Sequence, residues 1–538
     1  MKKIFLILIS VTLFCHAIGQ IWMRTYGDST YHTQSYRIIE DYDHGYLISC
    51  QKYLPGFFDY GWLIKTDING YPLWNKTIGD ISSSSPLIEI DKTDNGGFIT
   101  IGQTTKGTLD WAAYIVKLNA CGEKEWCRLY RTPGRNVYGL GIQTIPGGGS
   151  IIMLGNWGMN WSKDLWLLRL DENGDIVWQQ AYGLNPLFYD PEGQQLFRTP
   201  DTNFVITGYV YSPDSGQTNP YKARPLIIRV TPDGDALFEL AWGTAMNFEG
   251  YGRASSNDKK GNLLSVVQSQ LMSPSYYGPC LIRTSQTGQP LQYNNLVDTA
   301  VIGGAATIDW FADSTLVMGI GWKQNSGFGE PFIIGAIKTD SLGNQIKFKQ
   351  LIFDGDQNFN DAVMTFDNKV VLIDSYYQTN AIKTFAFKLN SNLDYDSIYT
   401  HPFIYDSLCP YPVVSDTMPL GDCHVVHVGL EDAGTDPAPS KLKIYPNPAP
   451  HRVTIELPQR LVRRLVQSGV TITTVYHQWN HATLAICDLT GRMIYTQEVS
   501  DQTGEITLDI SGWPRGLCFV RLLYHREAVA GERFIVGE

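Results

Sequence analysis

Beyond its first twenty residues the chain has no apolar run that approaches the roughly 20 residues a membrane-spanning helix needs. It has no basic block either. Its 42 Lys and Arg stand against 53 Asp and Glu, leaving a net charge of −11. No local cluster overrides that sign, so nucleic acid and anionic membranes are excluded as main partners. Cysteine is sparse, at nine in 538 residues. A chain with 43% hydrophobic residues can build its core without disulfides, though an exported one is permitted them. Cys409 and Cys423 bracket a Pro-rich loop and Cys121 and Cys127 flank a predicted hairpin turn, so these are the expected pairs. Also missing are a nucleophile elbow, a P-loop, a zinc-spaced Cys/His set and a dinucleotide fingerprint. No cofactor and no metal is therefore expected. His477 and His481 have helical metal spacing, but Val470–Val475 before them reads as strand. Asp171–Asp175 resembles a calcium loop without its full spacing or its acidic twelfth position, and reads as a hairpin turn.

What is present begins with a leader. Lys2 and Lys3 precede the short apolar stretch Ile4–Phe14, and Ala17-Ile18-Gly19 places small residues where a signal peptidase reads. Cleavage is expected before Gln20. Phe14 ahead of Cys15 is too bulky for a lipoprotein site.

The dominant feature is a repeat. LIKTDINGYPLW (Leu63–Trp74) recurs as IVKLNACGEKEW from Ile115 and LLRLDENGDIVW from Leu167, then more weakly from Ile227, Leu281, Ala336 and Ala386. The turn glycines are Gly70, Gly122, Gly174, Gly234, Gly288 and Gly343, with Leu393 in the seventh slot. Their spacing is 50–60 residues, and each unit holds about four short β-type runs separated by turn residues. Seven such units predict an all-β fold, a seven-bladed β-propeller. Ile21–Gly27 is similar to the fourth strand of a unit, and the last unit lacks one, so the N-terminal strand is expected to close the ring.

Aligned copies carry a cation five residues before the glycine slot: Lys65, Lys117, Arg169, Arg229, Arg283, Lys338 and Lys388. These lie on third strands, away from the axis, and are expected to brace turns. Trp74, Trp126, Trp178 and Phe238 follow their glycines by four residues and are expected to pack between blades. Tyr293 and Phe348 fall one place later, which predicts a bulge or a different contact there. The Gly-x-x-x-Trp spacing resembles the blades of quinoprotein dehydrogenases, where it is a docking element and implies no bound quinone.

Gly429–Ser440 is a polar, Pro-containing linker, and the segment after it reads as a small antiparallel β-sandwich. Its Tyr445-Pro446-Asn447-Pro448, its Asp488-Leu489-Thr490-Gly491-Arg492, its Gly516-centred PRGLCFVRL and its terminal hydrophobic strand come in a set order. In these the chain resembles the C-terminal sorting domain of the type IX secretion system of Bacteroidetes. The resemblance implies passage of the outer membrane, the secretion machinery as partner, and a secreted or surface location. Gln459–His481 is an insertion relative to that pattern, and Gly537-Glu538 lacks a basic ending. The expected organisation is a signal peptide (1–19), a propeller with an extension (20–428), a linker (429–440) and a sorting domain (441–538).

Loops between second and third strands vary and are rich in aromatics: Phe57, Phe58, Tyr60, Trp157, Trp161, Tyr209, Tyr211, Tyr221, Tyr276, Tyr277, Trp322, Phe328, Tyr376 and Tyr377. In a propeller these share one face, and rigid rings beside Ser, Gly and Asn suit a glycan or protein ligand. The expected function is a non-enzymatic binding or adhesion module. The alternative is a polysaccharide hydrolase or lyase with acids at the axis, with Asp309, Asp361 and Asp41 as first candidates. A third reading is a surface-layer component without a small ligand.

Overall fold

In the repeat the second and third strands are almost continuously apolar, whereas the fourth alternates. That pattern suits a sheet sandwiched on both faces along its middle and wetted at its outer edge. A computed structural model describes residues 21–537 except 29, 54–57, 80–82, 107–109, 159–162, 184–188, 213–221, 244–249, 274–275, 298–301, 324–331, 356–359, 379–380, 402, 429–441, 460, 468–469, 477–478 and 525–526. It contains seven four-stranded antiparallel blades. Their inner strands are His32–Glu40, Leu87–Lys92, Arg135–Thr144, Tyr189–Arg198, Gly250–Asn257, Ile302–Trp310 and Asp361–Met364. Each inner strand touches the inner strands of both neighbouring blades, so the series closes into a ring. In blade 2 the middle strands Phe98–Thr104 and Ala112–Leu118 are buried nearly throughout, while Lys124–Arg131 is partly exposed.

The turn glycines take φ of 69–91°, the left-handed region that glycine enters without strain. Leu393, in the same slot of the seventh unit, is also left-handed at 57°. Each of the first five glycines lies under an aromatic ring of the preceding blade. A Cβ added to Gly70 would sit 2.7 Å from Trp22, on Gly122 3.2 Å from Trp74, and on Gly174 2.9 Å from Trp126. On Gly234 it would meet Trp178 at 3.2 Å, and on Gly288 Phe238 at 2.7 Å. Indole N–H groups of Trp22, Trp126 and Trp178 then donate to turn carbonyls of Ile68, Glu172 and Pro232 at 2.8, 2.8 and 3.2 Å. Tyr26, Tyr130 and Tyr182, four residues after those tryptophans, donate to the glycine carbonyls themselves. At Gly343 the ring is replaced by Asn294, which donates to Leu342 at 2.6 Å. The displaced Tyr293 is half exposed. A bulge is not its cause, since the same register shift occurs in blades 1 to 6.

The cation slot is structural, as expected. Arg229 pairs with Asp201 in its own blade's first turn (2.5 Å) and donates to Gln286 of the next blade (3.1 Å). Lys338 makes the equivalent contacts to Asp313 (3.0 Å) and Ser391 (2.8 Å). Lys65, fully buried, is held by Asp41 and Asp43.

Met23–Tyr26 pairs with Ala381–Leu389 and supplies the outer strand of blade 7, so the N-terminal strand closes the ring. The chain after blade 7 then straps the outer rim. Asp416–Met418 adds a parallel strand to blade 1, and His424–His427 another to blade 2. Here the cysteine expectation is corrected: the disulfides are Cys121–Cys409 and Cys127–Cys423. The four cysteines are the expected ones, but the strap passes the edge of blade 2 and brings residues 288 and 296 positions apart within 5.5 and 4.7 Å at Cα.

The C-terminal region is a β-sandwich of a three-stranded and a four-stranded antiparallel sheet. Val453, Ile455, Leu484, Ile486, Val520 and Phe534 fill the space between them. Its inserted hairpin, Leu461–Gln467 and Val470–Tyr476, pairs with Trp178 and Gln179 and extends blade 3. Trp178, Tyr182 and Tyr476 thereby join the sandwich and the propeller in one apolar cluster.

Ring closure rests on Trp22, which is fully buried. Trp22→Ala is expected to lower stability by about 3–5 kcal/mol, in the range of large-to-small aromatic losses, read as a shift in denaturant midpoint. A shift no larger than that of an exposed-site control would contradict the closing role.

Candidate ligand-binding face and axial cluster

Antiparallel blades place the tight first-to-second and third-to-fourth turns on one face of the ring. The second-to-third loops and the links between blades fall on the other. On that loop face, half-buried rings run across blades 2 to 5. Trp111 lies 6.0 Å from Tyr138, and Tyr138 lies 4.6 Å from Trp157. The Lys163 ammonium sits 4.2 Å above Trp157 and 5.9 Å from Tyr209. Tyr209 then meets Tyr251 at 4.9 Å and Tyr211 at 5.9 Å, both edge to face.

Charges fix these rings. Lys163 (2.5 Å) and the Tyr209 hydroxyl (2.6 Å) both donate to Glu192 Oε2, and Gln194 donates to its Oε1 at 3.1 Å. Arg253 donates to Gln194 at 3.0 Å. Arg135 pairs with Asp164 at 2.6 Å, and burial still raises the Asp164 pKa against that partner. With three donors on its two oxygens, Glu192 is held in place beside the rings. The arrangement offers apolar faces edged by fixed donors and acceptors. Among the described residues no cluster of His, Cys, Asp and Glu could hold a metal ion.

The sequence-predicted residues divide in three. Trp157, Tyr209 and Tyr211 fall within this belt. Elsewhere on the ring, Phe58 is exposed, Tyr60 is half buried and Tyr376 stacks on Phe385 at 4.1 Å. Trp322 is buried between blades against Phe348 at 4.9 Å. Phe57, Trp161, Tyr221 and Phe328 lie outside the described residues, and for Tyr276, Tyr277 and Tyr377 the backbone alone is described. Sequence reasoning missed Trp111, Tyr138, Lys163, Glu192 and Tyr251. Three of these, Tyr138, Glu192 and Tyr251, sit on inner strands rather than in loops, where their alternation resembles any half-buried strand.

At the axis, Arg37 of blade 1 reaches Glu89 of blade 2 (3.3 Å) and Asp361 of blade 7 (3.1 Å). Asp309 of blade 6 shares the same field. One guanidinium cannot balance these carboxyls in a buried site. Asp361 also accepts the Ile38 N–H at 2.9 Å. Glu89 has an oxygen without a hydrogen bond, and burial pushes its pKa up to about 8. Burial likewise raises Asp309 to about 6. Asp41 lies apart, bound to Lys65 in a turn. Two of the three acids suggested for catalysis, Asp309 and Asp361, therefore share one electrostatic field, in which Glu89 and Asp361 are buried and Asp309 is partly exposed.

In the sandwich, Asn447 accepts the Ile535 N–H at 3.0 Å and donates to Arg533 at 3.3 Å. Its neighbour Ala449 bonds Ile535 at 2.8 Å, so the Tyr445–Pro448 run pins the last strand. Asp488 Oδ1 accepts from the Thr490 N–H (2.9 Å) and hydroxyl (2.6 Å) and from the Arg492 N–H (3.0 Å), closing the turn whose Gly491 has φ 84°. Gly516, at φ 135°, opens the strand that pairs with the chain end. His481 meets Glu498 at 3.2 Å, and His477 lies outside the described residues.

Residues 443–537 match the family described as the secretion system C-terminal sorting domain. The chain carries a type IX sorting domain. That domain makes the protein a secreted or cell-surface one and implies contact with the secretion machinery. No curated protein matches the chain. Among solved structures, a protein of unknown function from Bacteroides caccae aligns at 11% identity over 60% of this chain and 94% of its own, with a TM-score of 0.33. One of unknown function from Dyadobacter fermentans gives 12%, 68%, 98% and 0.41. PorZ of Porphyromonas gingivalis, a surface component of the type IX secretion system, gives 12%, 93%, 60% and 0.38. No helix among the described residues is long and apolar enough to cross a membrane. The sorting domain is seated on blades 3 and 4 through its inserted hairpin and shared core.

Glu89 and Asp309 hold protons in the folded state at pH values where the unfolded chain has lost them. Their contribution to stability therefore falls as pH rises from about 4.5 to about 8. Glu89→Gln leaves Arg37 paired with Asp361, and is expected to lose less stability between pH 5 and pH 8 than the parent. Denaturant midpoints at the two pH values check this, and equal losses in both proteins would contradict it.

Proposed function

We propose that the propeller is a non-enzymatic recognition module, delivered by its sorting domain, whose loop face binds glycan ligands. The observation that carries this reading is the ring belt Trp111–Tyr138–Trp157–Tyr209–Tyr251, which crosses four blades and is edged by Lys163, Glu192 and Arg253. Flat aromatic faces pack the apolar side of a sugar ring, and fixed polar groups at their rim read its hydroxyls. Burial of Glu89 and Asp361 leaves Asp309 as the partly exposed acid of this axial group, which supports binding over a hydrolysis that needs two carboxyls at the glycosidic bond. On this reading residues 1–19 are a removed signal peptide, 20–428 form the propeller and its strap, 429–440 link, and 441–538 sort.

The test is a screen of the full mature chain, from Gln20, against uncharged glycans with calcium or with EDTA. Saturable binding that Trp157→Ala weakens about tenfold, or roughly 1.4 kcal/mol, is the expected result. Unchanged binding in that variant, or none to any glycan, would contradict the proposal. Release of shortened sugars from the bound glycan would move the reading to a hydrolase or lyase.

A further inference from the structure

The opposite, turn face carries two inter-blade cavities whose character differs. Between blades 2 and 3 lies a cavity of 330 Å³, with Asp94, Asp171 and Glu172 against Lys117. Asp171 there accepts the backbone N–H groups of Asn173 and Asp175, each at 2.9 Å, as a hairpin turn does. Across blades 4, 5 and 6 lies a cavity of 1020 Å³, at the upper end of the roughly 300–1,000 Å³ of small-ligand sites. It inverts the charge, with Arg229, Lys259, Lys260 and Arg283 against Asp201 and Asp258.

The pairing within it is uneven. Asp201 is engaged by Arg229 at 2.5 Å, and Asp258 faces Arg283 at 3.7 Å. Among the described residues Lys259 touches only the Ser314 hydroxyl, at 2.8 Å, and Lys260 has no carboxylate partner. Both lysines are exposed. Trp310 forms part of the wall, and its indole N–H is buried without an acceptor among the described residues. The cavity thus presents surplus donors and cations beside an aromatic and apolar lining, in a chain of net charge −11. Such a surplus is matched by a ligand that is both carboxylated and ring-bearing.

We propose that this cavity binds acidic oligosaccharides, with Lys259 and Lys260 taking the carboxylate and the Trp310 wall taking the sugar ring. It is a second site, on the face opposite the aromatic belt. Titration of the full mature chain with trigalacturonic acid, its methyl ester and inorganic phosphate tests it. The acidic trimer is expected to bind saturably, with the ester and phosphate each at least tenfold weaker. Lys259→Glu combined with Lys260→Glu is expected to weaken the trimer at least tenfold while the unfolding midpoint stays unchanged. Trp157→Ala, on the other face, is expected to leave it as it was. No binding of the trimer, equal binding of the ester or of phosphate, indifference to the lysine changes, or loss on Trp157→Ala would each overturn the proposal.

Discussion

The ring depends on one repeated contact, an aromatic side chain of one blade laid over the turn glycine of the next. That glycine must lack a Cβ for two reasons at once. Its backbone is left-handed, and the ring of Trp22, Trp74, Trp126, Trp178 or Phe238 occupies the space a side chain would need. The indole N–H and a following tyrosine hydroxyl then satisfy turn carbonyls that burial would otherwise leave unpaired. Orientation of each blade is fixed relative to its neighbour, so small differences in blade sequence can be carried by loops without disturbing the ring. Where the ring is replaced by Asn294, a groove of 590 Å³ opens at the rim between blades 5 and 6.

Closure uses the same contact. Trp22 directly precedes the strand Met23–Tyr26, so this N-terminal segment both completes blade 7 and caps Gly70 of blade 1. The strap reinforces that seam from outside. Asn69 and Tyr399 exchange hydrogen bonds at 3.0 and 2.6 Å, and the disulfides of Cys409 and Cys423 fasten the strap to blade 2. An exported protein gains both bonds only in an oxidising compartment, consistent with its delivery. The sandwich in turn uses blade 3 as an edge for its inserted hairpin. Outer edges of blades 1, 2 and 3 are therefore all covered, which limits unwanted strand pairing.

Much of this was legible because it repeats. The turn glycines and the cation slot mark the period, and even Leu393 keeps the left-handed slot without being glycine. The closing strand could be recognised because Ile21–Gly27 resembles a fourth strand. Disulfide pairing was not legible. Proximity in sequence favours Cys121 with Cys127, while the bond that forms depends on a strap nearly 300 residues away. Loop aromatics were only half readable. Trp157 lies on the loop face as expected, but Trp322, in an equivalent stretch, turns inward to fill space beside Phe348. Tyr138 and Tyr251 escaped notice because on an inner strand a ring that faces a ligand and a ring that faces the next blade have the same periodicity. The raised pKa of Glu89 is likewise a product of assembly, since it comes first from burial between blades and then from Asp361 of blade 7, against the pull of Arg37 from blade 1.

Gly174 and Gly147 separate the two demands on the turn glycine within one blade. They share a left-handed backbone, with φ of 81° and 86°, but a Cβ on Gly174 would lie 2.9 Å from Trp126 while one on Gly147 would meet nothing within 4 Å. Gly147→Ala should cost only the backbone penalty, about 1–2 kcal/mol. Gly174→Ala should cost that plus a further ~1–3 kcal/mol for displacing the ring. Denaturant midpoints of the two variants measure the difference directly. A clearly larger loss at Gly174 is the predicted result, and equal losses would contradict the account of how the blades are held.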